Sequence, residues 1–109
     1  MMTTISTPNA PAAIGPYSQA KVVNGMVSAS GQITIIPATG EIASGDIAVQ
    51  AEQVMKNVGE ILKEAGCGYE DVVKTTCFLA EMADFGAFNA VYEKYFTGKP
   101  ARSCVAVKE

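Results

Sequence analysis

DIAVQAEQVMKNVGEILKEAG at 46–66, followed by VVKTTCFLA at 72–80, decides the fold. In the first run Ile47, Ala51, Val54, Met55, Val58, Ile61, Leu62 and Ala65 recur at i, i+3, i+4 and i+7, the single apolar stripe of an amphipathic helix. Asp46 supplies a side-chain acceptor for the first free N–H groups, and Gly66 stands where a left-handed residue ends a helix. In the second run the period collapses to a β-branched, mostly apolar stretch, the pattern of a central strand. Helix followed by buried strand implies a sheet with helices laid on it. Working outward, Asp84 is placed to cap a second helix that carries Phe85, Phe88, Val91, Tyr92, Tyr95 and Phe96 on one face and ends at Gly98 and Pro100. Residues 102–107, RSCVAV, alternate Arg102, Cys104 and Ala106 against Ser103, Val105 and Val107, and read as another strand. Upstream, Ser18–Val23 and Met26–Ser30 flank Asn24-Gly25, whose tolerance of positive φ suits a two-residue hairpin turn. Before them Pro8, Pro11, Gly15 and Pro16 mark an extended arm that reaches the first strand at Tyr17. Gly31-Gln32 suggests a bulge or a close backbone approach, after which Ile33–Ile36 extends toward the Pro37–Gly40 turn.

The predicted order is β-β-α-β-α-β, a two-layer α+β sandwich in which two helices cover one face of a mixed sheet. The other face has no cover within the chain, so association with a symmetric copy is expected. With 109 residues, 49% of them hydrophobic and 17% charged, the chain reads as one globular domain spanning 1–109. Eight basic against eleven acidic residues leave a net charge of −3, which disfavours nucleic acid and anionic membranes as partners. The sequence contains no histidine, which removes Ser-His-Asp triads, Cys-His dyads and His-ligated zinc together. Cys67, Cys77 and Cys104 are odd in number and form no CxxC pair, so neither a disulfide framework nor a four-cysteine zinc site is expected, and a reducing cytoplasm fits best. No run approaches the length of a membrane span, and the opening residues carry no targeting pattern.

Few residues can carry chemistry. Arg102 is the sole arginine, on a strand rather than a solvated helix face; a surface role is the commoner one, but a planar fork there could grip a small carboxylate. Cys104, two residues on, points the same way. As a nucleophile it would need an activating base, and without histidine a packed thiol is the commoner state. Tyr17 could present a phenol at a cleft mouth, and Ser30-Gly31-Gln32 could expose a backbone N–H to a ligand.

The segments NAPAAIGPYSQA at 9–20, SASGQI at 28–33, GEI at 40–42, VVKTTCFL at 72–79, FNAVYEKYF at 88–96 and KPARSCV at 99–105 resemble the RidA/YjgF family of reactive-intermediate deaminases, older members of which carry the label translation initiation inhibitor. The resemblance covers essentially the whole chain. It implies a chorismate-mutase-like α+β fold assembled as a homotrimer, with clefts between subunits that hydrolyse 2-imino acids such as 2-iminobutanoate and 2-iminopropanoate to 2-keto acids and ammonia. It also implies that no cofactor or metal is needed. On the matching positions, Arg102 would clamp the substrate carboxylate, the backbone N–H of Cys104 would assist it, and Tyr17, Ser30, Gly31 and Asn89 would line the imine end. Members of the family continue beyond the position of Glu109 into a last strand with a water-ordering glutamate, a strand that 1–109 lacks, and Glu109 does not match that glutamate. A non-catalytic sensor of 2-keto acids is the alternative.

Overall fold

The computed structural model describes residues 2–108. Five strands and two long helices follow in the order β1 (Met2–Ile5), β2 (Ala20–Val23), β3 (Met26–Ala29), α1 (Ile47–Glu64), β4 (Lys74–Leu79), α2 (Phe85–Tyr95) and β5 (Ala101–Ala106). The α+β class stands, with antiparallel and parallel pairings both present. The strands form two sheets among the described residues: β1-β2-β3 antiparallel, and β4-β5 parallel. The added first strand corrects the expected order. Met2–Ile5, within the stretch expected to be an extended arm, pairs antiparallel with β2 in the register Met2↔Val23 to Ile5↔Ala20.

The Asn24-Gly25 turn behaves as its sequence demands, with φ of 50° and 75°. The strand it opens from begins at Ala20 rather than Tyr17, because Gly15 to Tyr17 makes a tight turn closed by the Tyr17 N–H on the Gly15 carbonyl at 2.8 Å. Ile33–Ile36 is not a strand; its one ladder contact is the isolated bridge Ile35↔Ile42. The carbonyls of Ile33 and Ile35 are instead taken by the Asn57 side-chain amide at 2.9 Å each, from a residue only 1% exposed on α1. A buried amide here satisfies backbone that a neighbouring strand would otherwise serve.

Helix α1 starts where Asp46 Oδ1 accepts the Val49 N–H at 3.1 Å and ends at Gly66 with φ of 83°, as both cap signals require. Helix α2 differs. Asp84 occupies the boundary but its side chain makes no capping bond, since Met82–Asp84 already forms a 3₁₀ turn that runs into the helix.

α1 joins the two sheets. Ala51 and Met55 pack with Leu79, Phe88, Val91, Tyr92 and Phe96 over β4-β5, while Ile61 packs with Ile5, Ala10 and Ala20 over β1-β2. Along β4 burial alternates, with Thr75, Cys77 and Leu79 turned inward and Lys74, Thr76 and Phe78 outward. The expected one-sided cover stands: both helices lie on one side, and Phe78 remains 66% exposed on the other. No helix among the described residues is long and apolar enough to cross a membrane.

Candidate active site

β5 presents Arg102 and Cys104 on the same face because side chains alternate along a strand. The parallel register sets Thr75 beside Arg102 and Cys77 beside Cys104, on the side packed against the helices. Across from them α2 offers Phe85, Asn89 and Tyr92, spaced i, i+4, i+7 and so on one stripe. The Arg102 guanidinium lies across that stripe. Its Nη1 donates to Asn89 Oδ1 at 2.7 Å, and its central carbon sits 4.6 Å from the Tyr92 ring centre and 5.2 Å from that of Phe85. Cation–π contacts of this kind hold a guanidinium by its faces and leave its edges to other partners. Among the described residues no carboxylate pairs with Arg102 and its other N–H groups have no hydrogen-bond partner.

The Tyr92 hydroxyl, on a residue 7% exposed, lies 2.7 Å from Thr75 Oγ1. Cys77 is half-buried; burial pushes its thiol above the ordinary value, with Cys104 adding to the effect and the Thr75 bond and Arg102 opposing it. It stays a neutral thiol at neutral pH, in keeping with a packing role. The Ala101 and Val107 N–H groups donate to the Val73 and Leu79 carbonyls, so odd-numbered residues of β5 bond to β4. The N–H of Cys104 consequently points from the opposite edge of β5, which pairs with no strand among the described residues.

The other expected site residues gather elsewhere. Pro16, Tyr17, Ser18, Lys21, Ser28 and Ser30 line an open cleft of about 380 Å³. Tyr17 is 53% exposed there. Ser30 is fixed at both ends, its hydroxyl donating to the Ser18 carbonyl at 2.7 Å and its N–H to the Gln19 carbonyl at 2.9 Å. Gly31 is exposed, and a Cβ added to it would meet nothing within 4 Å, so the expected close approach is not made within one chain. Arg102, Asn89 and Cys104 do not line this cleft. Glu109 lies outside the described residues.

Buried Gln19 and Asn57 escaped the sequence reading. Gln19 accepts the Thr7 N–H at 2.6 Å and donates to the Pro11 carbonyl at 2.8 Å, which pins the proline-rich arm beside the cleft. Asn57 does the same for the segment at Ile33–Ile35. Gln32 donates to the Ser30 carbonyl at 3.1 Å, while its Oε1 is buried without a partner among the described residues. Only for Tyr92 was there a usable signal, the 85/89/92 spacing against a strand carrying the sole arginine.

A family model described as Endoribonuclease L-PSP matches residues 7–109. A mouse protein named 2-iminobutanoate/2-iminopropanoate deaminase is 51% identical over 104 residues, covering 94% of this chain and 77% of its own length. The chain belongs to the RidA/YjgF family. Another relative, named putative regulator AldR, from Lactococcus lactis, is 55% identical over 107 residues, covering 97% of this chain and 85% of that protein. The crystal structure of YyfA from Yersinia pestis, described as a protein of unknown function of the conserved Rid family, superposes with a TM-score of 0.95 at 46% identity, covering 98% of this chain and 86% of that one. RidA/YjgF relatives at about half identity thus include proteins named as deaminases and one named as a regulator.

Proposed function

We propose that this RidA/YjgF protein hydrolyses 2-imino acids, 2-iminobutanoate and 2-iminopropanoate among them, to 2-keto acids and ammonia. The observation that carries this is the Arg102 guanidinium, oriented by Asn89, Phe85 and Tyr92 with edge N–H groups uncommitted, on the face it shares with Cys104. An edge-on fork binds a carboxylate bidentately, and the outward N–H of Cys104 adds a donor beside it. Water adds to the carbon of the C=N bond, a proton passes to nitrogen, and collapse of the carbinolamine releases ammonia and leaves C=O. The carbon is already electrophilic, so positioning and fixed donors supply what the step needs without a histidine.

Tyr17, Ser30 and Gly31 fit the imine end of a cleft completed by a second subunit, since one chain leaves them apart from Arg102. A homotrimer with sites at its borders accounts for that separation and for the exposed Phe78 and Val105 on the uncovered face of β4-β5. The unpaired cysteines suit a reducing cytoplasm. The test couples a threonine dehydratase to the purified protein and follows 2-ketobutyrate: faster release than in the dehydratase alone supports the deaminase.

The relative named as a regulator favours a second reading, in which the same clamp binds a 2-keto acid and biases a partner interaction. Saturable 2-ketobutyrate binding with no acceleration of imine hydrolysis selects the sensor. RNA cleavage, suggested by the family description, is disfavoured by a net charge of −3, a single arginine and no histidine.

A further inference from the structure

Arg102 is embedded in an arrangement that reaches further than its direct contacts. The Tyr92 ring is the nearer of the two aromatic faces against the guanidinium, at 4.6 Å, and its hydroxyl does not face solvent but meets Thr75 Oγ1 at 2.7 Å. Thr75 is the residue of β4 in register with Arg102 itself. The strand pair and the helix are therefore closed into a loop: Arg102 to the Tyr92 ring, Tyr92 hydroxyl to Thr75, and Thr75 back to Arg102 through the β4-β5 ladder. A tyrosine ring in a core can rock about its side-chain torsions, and a hydroxyl fixed at its far end removes that freedom. A phenylalanine would fill the same space, so packing alone does not account for the bridge. The aromatic neighbours Phe88 and Phe96, centred 5.9 Å and 4.6 Å from the Tyr92 ring, form the remaining wall.

We propose that Thr75 and Tyr92 are positioning residues for the Arg102 clamp, acting as one hydroxyl-bridged prop that fixes the plane of the guanidinium so that its free edge meets a 2-imino or 2-keto carboxylate in bidentate register. The proposal rests on the carboxylate-clamp reading above. Neither residue touches substrate; both act through Arg102. Because the bridge is one bond, losing either partner removes all of it. A looser fork weakens carboxylate binding in ground and transition state alike, which raises KM more than it lowers kcat.

Tyr92→Phe and Thr75→Val each keep the shape and remove one hydroxyl. Each variant, and the double variant, should show KM raised about two- to tenfold, the equivalent of one neutral hydrogen bond, with kcat little changed. The double variant should be no worse than the worse single. The protein has a single arginine, so its Nε–H gives one resonance, and its ¹⁵N relaxation should report a more mobile guanidinium in all three variants than in the parent. Multiplying losses in the double variant, or a guanidinium as rigid as in the parent, overturns the prop. The relaxation measurement and calorimetric binding of 2-ketobutyrate need no turnover, so they decide the matter even if deamination fails. Should one variant not fold, the other carries the same bond and the same test.

Discussion

Arg102→Lys retains a positive charge but loses the planar fork and the stacking over Tyr92 and Phe85. Loss of a buried charge-assisted carboxylate contact costs about 2 to 5 kcal/mol, so kcat/KM for 2-iminobutanoate should fall roughly thirty- to several-thousand-fold. Parent-like turnover in the dehydratase-coupled assay would remove Arg102 from the clamp. Cys104→Ala separates backbone from thiol: the N–H survives, no covalent step is invoked, and most of the rate should persist. A folded but inactive Cys104→Ala protein would reopen nucleophilic chemistry. Asn57 tests the scaffold instead. Asn57→Ala orphans the Ile33 and Ile35 carbonyls, at about 1 to 3 kcal/mol for each acceptor left dry, and denaturant unfolding should show the loss. Of these three, Arg102 and Cys104 stood out in the sequence by rarity and alternation. Asn57 did not, because a polar residue within an apolar stripe looks no different from one at its margin until the segment that needs it is folded alongside.

At the scale of elements, the two helices are latched as well as packed. Glu52 of α1 accepts from Lys94 at 2.6 Å and from the Tyr95 hydroxyl, both on or at the end of α2. The Lys94 bond, then the Tyr95 bond, hold the Glu52 carboxyl below its ordinary range. Tyr95 is pushed up to about 12, first by its bond to Glu52 and then by burial. A tyrosine whose folded value exceeds its unfolded value near 10 favours the fold while neutral. That contribution is whole below pH 10 and fades as pH climbs from 10 to 12. Thermal midpoints should therefore drop across that interval in the parent and drop less in Tyr95→Phe; equal slopes would detach Tyr95 from the latch. The helix ends themselves were readable. Asp46→Ala should cost about 1 kcal/mol, the usual worth of an N-cap side chain, whereas Asp84→Ala should cost little because its carboxylate caps nothing.

For the whole molecule, the separation of the Tyr17 and Ser30 cleft from Arg102 makes assembly the decisive question. Three copies of an 11.4 kDa chain should appear together in light scattering. Phe78→Glu, placing a charge on the uncovered face where Phe78 is 66% exposed, should shift the particle toward one copy and abolish turnover while leaving circular dichroism unchanged. A monomeric variant with full activity would place the whole site within one chain and end the shared-cleft reading.

Both helices, the Asn24-Gly25 hairpin, strands β4 and β5 and the sole arginine were determined by the sequence itself, since periodicity, caps and turn residues act over a few neighbouring positions. The strand at Met2–Ile5 was written there too, in a β-branched run, but the prolines that follow it obscured a partner that lies fifteen or more residues away in β2. Only the tertiary structure decided the division into two sheets and the cradle in which Phe85, Asn89 and Tyr92 receive Arg102. The physical reason is common to both. Each depends on which elements meet across the chain, and register between distant strands and helices is set by packing, whose signal is spread over every contacting residue and concentrated in none.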